Sequence, residues 1–382
     1  MTKVIKLLKL DIDYSKRIFG LDIIRAFAIL SVVHLHLYIA NTLISSVKST
    51  QKTFVPLIDG VDVFFVLSGF LIGGILIDNF EKKITRKSLL RFWIMRWMRT
   101  LPNYYVWATI LLGIAFLTGS RQNPLIYYFF VQNFYINKIK VFNESWSLSV
   151  EEWFYLLFPL CALVLLRISK LKFQYVFLIV VLLYLALSVS VAIDYFDLKA
   201  CSADNFIKLR GLVVYRLNSI GIGVLAILTK KFYPPGWSFL KKRFVFFVVL
   251  LIYVTTIVLG SIYSIFETKS LVYYMYFVHI YVSAVAVACL IAYIEDVETD
   301  NMMIKKIITY ISVLSYSIYL IHGSFLMIIL VVIFKGLKLN SFLLYFVVYV
   351  VLLYILCITN YKMIELRFIN KRAWVIKRLN LE

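Results

Sequence analysis

The chain has 382 residues, of which 62% are hydrophobic, with a mean hydropathy of +0.89 and a formal net charge of +21. That composition excludes a soluble domain and implies a polytopic membrane protein. The positive charge sits in short segments between apolar runs, which fits membrane orientation and anionic headgroups and argues against nucleic acid.

The first apolar run contains LDIIRAFAILSVVHLHLY, Leu21–Tyr38, with Arg25, His34 and His36 inside it. A charge at membrane depth costs ~2.5–3.5 kcal/mol on insertion scales, so it marks a functional site by default. Arg25 and His36 are eleven residues apart, about three helical turns, and share one face. His34 points about 160° away. The run is too long for a cleaved leader, carries Arg25 and lacks an A-x-A site, so it is expected to remain as a span.

Ten spans are predicted, at 20–44, 56–78, 92–118, 147–167, 173–194, 210–229, 243–263, 271–294, 308–334 and 341–363. The short aromatic run at 124–136 reads as an interfacial segment. The fold expected is all-α, a transmembrane helix bundle forming a single integral-membrane domain over 1–382, with its membrane core at about 20–370. One set of alternating loops and tails holds about two and a half times as many Lys and Arg as the other, which puts both short termini in the cytoplasm. Cys161, Cys289 and Cys357 lie in apolar runs and Cys201 in a loop. Their spacing supports neither a disulfide framework nor a metal site, so no metal is expected.

The second span, GVDVFFVLSGFLIGGILI, buries Asp62 about two turns in. Gly69 and Gly73 share its face and allow another helix to approach. Antiparallel spans one and two bring Asp62 and His36 to similar depths, so a His36–Asp62 pair in the outer half of the bilayer is expected. The third span opens with RFWIMRWMRTLPNYY. Arg96 and Arg99, spaced i, i+3 near the cytoplasm, suit either a phosphate clamp or a headgroup anchor. In NESWSLSVEEWFYLLFP, Glu151 and Glu152 stand among Trp146, Trp153 and Tyr155. The two acids either favour a helix N-terminus or, with the aromatic faces, line a sugar site. Arg216 is a further intramembrane cation, with Asn218 nearby. His322, in SYSIYLIHGSF, is either a packed histidine or an acid–base group.

Taken together, LDIIRAFAILSVVHLH, GVDVFFVLSGFLI, MRWMRTLPNYY, SWSLSVEEWFYLLFP and SYSIYLIHGSF resemble the acyltransferase 3 family of bacterial membrane acyltransferases, with YKMIELRF as a weaker sixth block. The resemblance runs from about 20 to 370. The family's basic residue and histidine, ten residues between them, fall on Arg25 and His36. Its two arginines before a proline fall on Arg96, Arg99 and Pro102. Two departures are Ile23, where a small residue is common, and Glu365-Leu366-Arg367, where a basic residue and proline often follow the acid.

The resemblance implies a membrane O-acyltransferase, with acetyl the expected group. The acyl group would move from cytoplasmic acyl-CoA to a hydroxyl of an extracytoplasmic glycan, such as lipopolysaccharide O-antigen or another surface polysaccharide. On this reading Arg25, Arg96 and Arg99 hold the donor, and His36 is the general base, oriented by Asp62. Trp146, Glu151 and Glu152 line the acceptor mouth. The expected setting is the bacterial inner membrane, among lipids. A transporter or flippase for a lipid-linked sugar would also explain ten spans and buried charges. It requires neither the arginine clamp nor a histidine beside an acid.

Overall fold

In a computed structural model residues 10–44, 59–82, 85–198, 203–266 and 268–381 are described, and their regular structure is all helical. Ten helices are long and apolar enough to cross a membrane: α1 Phe19–Ile44, α2 Gly60–Glu81, α3 Arg86–Leu117, α4 Ser145–Ile168, α5 Phe173–Phe196, α6 Val213–Phe232, α7 Arg243–Tyr263, α8 Lys269–Ile294, α9 Met302–Gly336 and α10 Phe342–Arg378. No strand occurs among the described residues. The first residues of the expected second span, Cys201, and loop lysines such as Lys48 and Lys52 lie outside them. We call the side on which α1 begins the lower face and the opposite side the upper face.

Several helices extend past the apolar runs that predicted them. α3 starts at Arg86 rather than 92, α9 at Met302 rather than 308, and α10 runs on to Arg378. The added turns carry Arg86, Lys87 and Arg91, then Lys305 and Lys306, then Arg367 to Arg378. Helical hydrogen bonding continues through these polar turns, where a hydropathy pattern stops. The starts are capped by side chains that accept otherwise orphaned backbone N–H groups. Asp59 accepts from Val61 and Asp62 at the start of α2, Thr85 and Ser88 form a reciprocal box on α3, and Asn301 caps α9.

α2 and α6 are the central pair, each 78% buried over its apolar window, whereas α7 is 22% buried and peripheral. Their contact depends on glycines. A Cβ at Gly69 would lie 1.9 Å from the Ile220 carbonyl oxygen, and one at Gly223 would lie 2.1 Å from that of Val66. Side-chain-free positions let two backbones approach in this way where no hydrophobic force drives them together. The approach predicted from Gly69 is therefore made, and the partner is α6.

Three of the long helices are interrupted by π-turns: Met275–His279 in α8, His322–Met327 in α9 and Tyr361–Glu365 in α10. Such turns shift the register of a helix by one residue and recur at functional sites. The turn in α9 delivers His322 and Ser324 to the site described next.

Candidate functional site

The upper site starts from α1. His36 lies eleven residues after Arg25, and both face the interior, whereas His34 is exposed. The His36 Nδ1 is 2.9 Å from the Val32 carbonyl one turn earlier. His322, fully buried on α9, has its Nδ1 2.9 Å from the Tyr319 carbonyl and 3.1 Å from that of Ile318. The two rings meet edge to face, with centroids 4.5 Å apart, and His322 Nε2 is 3.3 Å from His36 Nδ1. A carbonyl only accepts, so in the neutral rings both Nδ1 atoms carry the hydrogen. His36 then shares its Nδ1–H between Val32 and His322, and its Nε2 keeps a lone pair.

Glu144, on the last residue before α4, closes this group. The Ser324 backbone N–H donates to its Oε1 at 2.6 Å, and the Ser324 hydroxyl donates to Oε2 at 2.5 Å. Gly323 makes room for the carboxylate: a Cβ there would lie 1.7 Å from Glu144 Oε1 and 3.4 Å from His36 Cδ2. Ligand-capable atoms of His36, Glu144 and His322 lie within 4.8 Å of one another, a set able to hold a divalent ion. The group also closes on itself by hydrogen bonds, through Ser324 and through the contact between the two rings.

His36 and Glu144 of this group border an upper cavity of about 400 Å³, lined also by Asp59, Asn143, Trp146, Arg210 and Tyr319 among others, with His322 directly behind His36. Asp59 pairs with Arg210 at 2.6 Å. Burial works against the Asp59 charge, but the Arg210 and Arg216 guanidiniums outweigh it and hold the carboxyl at about 2, so it is ionised at neutral pH. Trp146 is part of this lining, with the guanidiniums of Arg210 and Arg216 each 5.8 Å from its ring. The segment predicted as interfacial folds back over this side. Gln132 donates to Ser145 and Ser149, and Asn133 donates to the Trp146 and Gly211 carbonyls.

A second cavity, of about 110 Å³, lies on the lower side and brings together Arg25, Arg96 and Arg99 with Ser68, Glu151, Tyr316 and Tyr319. Arg99 makes no hydrogen bond or ion pair within the described residues. Arg25 is steadied by Asp22 at 3.3 Å and Ser312 at 3.1 Å. Arg96 hydrogen-bonds the Tyr155 hydroxyl, lies 4.3 Å over its ring, and reaches Glu151 at 3.4 Å.

Three sequence expectations are corrected here. Asp62 does not meet His36; it is fully buried against Arg216 of α6, with Ser219 also donating to it at 3.3 Å. The glycine-mediated contact of α2 with α6 turns that face of α2 toward a cation, and a buried carboxylate is far more strongly held by a guanidinium than by an imidazole at a distance. Glu151 and Glu152 do not line the outer mouth. They lie inside the bundle, Glu151 on Arg96 and Tyr155, and Glu152 accepting from Thr100 at 2.9 Å. Arg96 and Arg99, expected near the cytoplasmic end of a span opening at 92, lie deeper than that start implies. With α3 starting at Arg86 they stand ten and thirteen residues in, roughly 15–20 Å along the axis, deep enough to meet those acids.

Comparison with known proteins decides the family. The model for the acyltransferase domain of the acyltransferase 3 family matches residues 18–361. The chain belongs to the acyltransferase 3 family. It is 31% identical over 172 residues to the peptidoglycan O-acetyltransferase OatA of Listeria monocytogenes, a match covering 40% of this chain and 26% of that protein. It is 32% identical over 176 residues to the O-acetyltransferase OatA of Staphylococcus aureus, covering 41% and 27%. The matched part is thus about a quarter of the length of these relatives. No solved structure matches the chain.

Within this acyltransferase 3 chain, sequence reasoning missed two members of the upper group. His322 was weighed but left out of the site, and Glu144 was read only as part of its block. The available signals were a histidine followed by glycine and serine inside an apolar run, and an acid just ahead of a helix start. Neither says that α9 and the α4 entrance converge on α1.

Proposed function

We propose that this protein is a membrane O-acyltransferase that moves an acyl group, acetyl above all, from acyl-CoA on its lower side to a hydroxyl of a surface polysaccharide on its upper side. The observation that carries this reading is the back-to-back placement of an arginine-lined cavity and a cavity bearing the His36–His322–Glu144 group. Guanidiniums suit the phosphates of a CoA ester, and Arg99 has donors to spare. The Lys/Arg bias makes the lower face and both termini cytoplasmic, in the inner membrane of the cell.

On the upper side His36 Nε2 takes the proton of the acceptor hydroxyl as its oxygen forms a bond to the thioester carbonyl carbon. The resulting imidazolium is stabilised by its Nδ1–H bonds to Val32 and His322, with the Glu144 carboxylate close by. The carbon–sulfur bond then breaks, and the proton held by His36 neutralises the departing CoA thiolate. Trp146 offers a sugar an aromatic face, and Asn143, Asp59 and Arg210 offer hydrogen bonds. The name of the Listeria relative, a peptidoglycan O-acetyltransferase, favours cell-wall glycan as acceptor over lipopolysaccharide O-antigen. The transporter reading gains nothing from the family to which the chain belongs.

The test is mass spectrometry of surface glycans from cells with and without the protein, joined to binding of acetyl-CoA by the purified protein. Ester-linked acyl groups that disappear with the protein, and micromolar donor binding, are expected. Unchanged glycans and no donor binding would sink the reading. The spacing of His36, Glu144 and His322 also favours a second reading, in which a divalent ion polarises the acceptor. Activity lost on chelation and restored by zinc would establish it; the base mechanism expects transfer insensitive to chelators.

A further inference from the structure

The two cavities have two lining residues in common, Val61 and Tyr319. Tyr319 is held from behind. Its hydroxyl is 2.5 Å from the Ser147 hydroxyl and donates to the Glu144 carbonyl at 3.1 Å. Its ring packs 5.8 Å from that of His322 and 6.4 Å from that of Phe64. Val61, the other shared residue, follows Gly60, which seats the start of α2 directly on α1. A Cβ at Gly60 would lie 2.2 Å from the Ala28 carbonyl oxygen. Both shared residues are therefore held in place, Tyr319 by two hydrogen bonds and by its ring packing, and Val61 by the backbone contact beside it.

On the acyl-CoA reading, the acyl carbon of a thioester anchored by Arg25, Arg96 and Arg99 has to pass from the lower cavity to His36 in the upper one, and Val61 and Tyr319 are the two residues that border both. We propose that Tyr319 and Val61 form a strait that selects the donor by acyl size, passing acetyl and rejecting butyryl and longer chains. The inference rests on the acyl-CoA reading above and assigns the specificity of that reaction to two residues. Neither residue does the chemistry; Tyr319 touches the passing acyl group, and its hydroxyl is occupied in holding the ring. One methylene in a filled apolar space is worth ~10–200-fold in selectivity, so removing a wall should be plainly visible.

The experiment measures kcat/KM for acetyl-CoA and butyryl-CoA with purified full-length protein and its native glycan acceptor. Val61→Ala and Tyr319→Ala should each raise the butyryl-to-acetyl ratio ~10-fold or more. Tyr319→Phe keeps the ring packed against His322 and Phe64 but removes its two hydrogen bonds, so its ratio should rise less than that of Tyr319→Ala. Val61→Phe should suppress acetyl transfer ~10-fold or more, a larger effect than any change in the Kd for CoA itself. If either alanine variant turns over no donor, the same ratio is read from Kd values for unreactive thioether analogues of the two esters. A butyryl-to-acetyl ratio within about twofold of wild type in both alanine variants overturns the strait. A wild-type protein that binds no CoA ester overturns the acyl-CoA reading itself, and the strait with it, so the two failures are told apart.

Discussion

His36 and His322 come from helices 286 residues apart in sequence, yet His322 Nε2 lies 3.3 Å from His36 Nδ1. This contact makes the first span and the ninth one catalytic unit in the proposed reaction. It also predicts a hierarchy among the histidines. His36→Ala removes the lone-pair nitrogen and should lower acyl transfer ~10²–10⁴-fold. His322→Ala removes the partner that steadies the charged His36 ring and should produce a smaller loss in the same direction. His34 is exposed on the opposite face, so His34→Ala should retain most activity. Acyl incorporation into native glycan, normalised to protein in the membrane, checks all three. A dead His34→Ala beside an active His36→Ala would move the site across α1.

A second prediction concerns Gly323. The Glu144 carboxylate occupies the space that a side chain at this position would need, since the added Cβ would lie 1.7 Å from its oxygen. Gly323→Ala should push the carboxylate off Ser324 and away from the histidine pair. Transfer should drop by about tenfold or more, comparable to losing one hydrogen-bonded partner of a site. The Kd for acyl-CoA should hold, because the lower arginines are untouched. Unaltered transfer by this variant would show that Glu144 has no part in the chemistry.

The lower cavity separates two arginines that sequence treated as equivalent. Arg96 is engaged by Tyr155 and Glu151, whereas Arg99 has no hydrogen-bond or ion-pair partner among the described residues. Arg99→Ala should therefore weaken acyl-CoA binding with little change in thermal stability, by the ~1.5–3 kcal/mol of a charge-assisted bond, or roughly 10–100-fold in Kd. Arg96→Ala should cost stability as well, because it strips half-buried Glu151 and the Tyr155 hydroxyl of their shared cation. Isothermal titration with acetyl-CoA and a melting curve for each variant supply both numbers. Normal donor binding by Arg99→Ala would reduce the cluster to a membrane anchor.

How much of this could be read from sequence depends on whether one helix or two were needed. The inward face of α1 followed from a single cation: Arg25 selects the face, and helical period then separates His36 from His34. The glycines of α2 correctly announced a close neighbour. Periodicity fixes a face and a depth but does not name the helix that the face will meet. Asp62 was matched to the nearest predicted partner in sequence order, while α6, 154 residues away, supplied Arg216. Glu151 and Glu152 went astray for a related reason. Their distance from the start of α4 was legible, but the extra lower turns that push Arg96 and Arg99 inward to meet them were not. The π-turn that delivers His322 has no hydropathy signature at all.

The last prediction tests the corrected role of Asp62. Asp62 and Arg216 are both fully buried, and Arg216 also lies 5.2 Å from the Phe65 ring. A pair in that setting holds α2 to α6 at the centre of the bundle. Removing one partner strands the other as an unpaired buried charge, at a cost of ~3–5 kcal/mol, whereas replacing both by apolar groups of similar volume is often neutral or stabilising. Asp62→Leu and Arg216→Met should therefore each lower the melting temperature and the amount of protein in the membrane. The double variant should recover both, along with measurable acyl transfer. Had Asp62 served to orient His36, Asp62→Leu would instead leave a stable, well-inserted protein with a depressed rate, and the double variant would be folded and inactive. Melting curves, membrane abundance and normalised transfer for the two singles and the double decide between a structural clamp and a catalytic carboxylate.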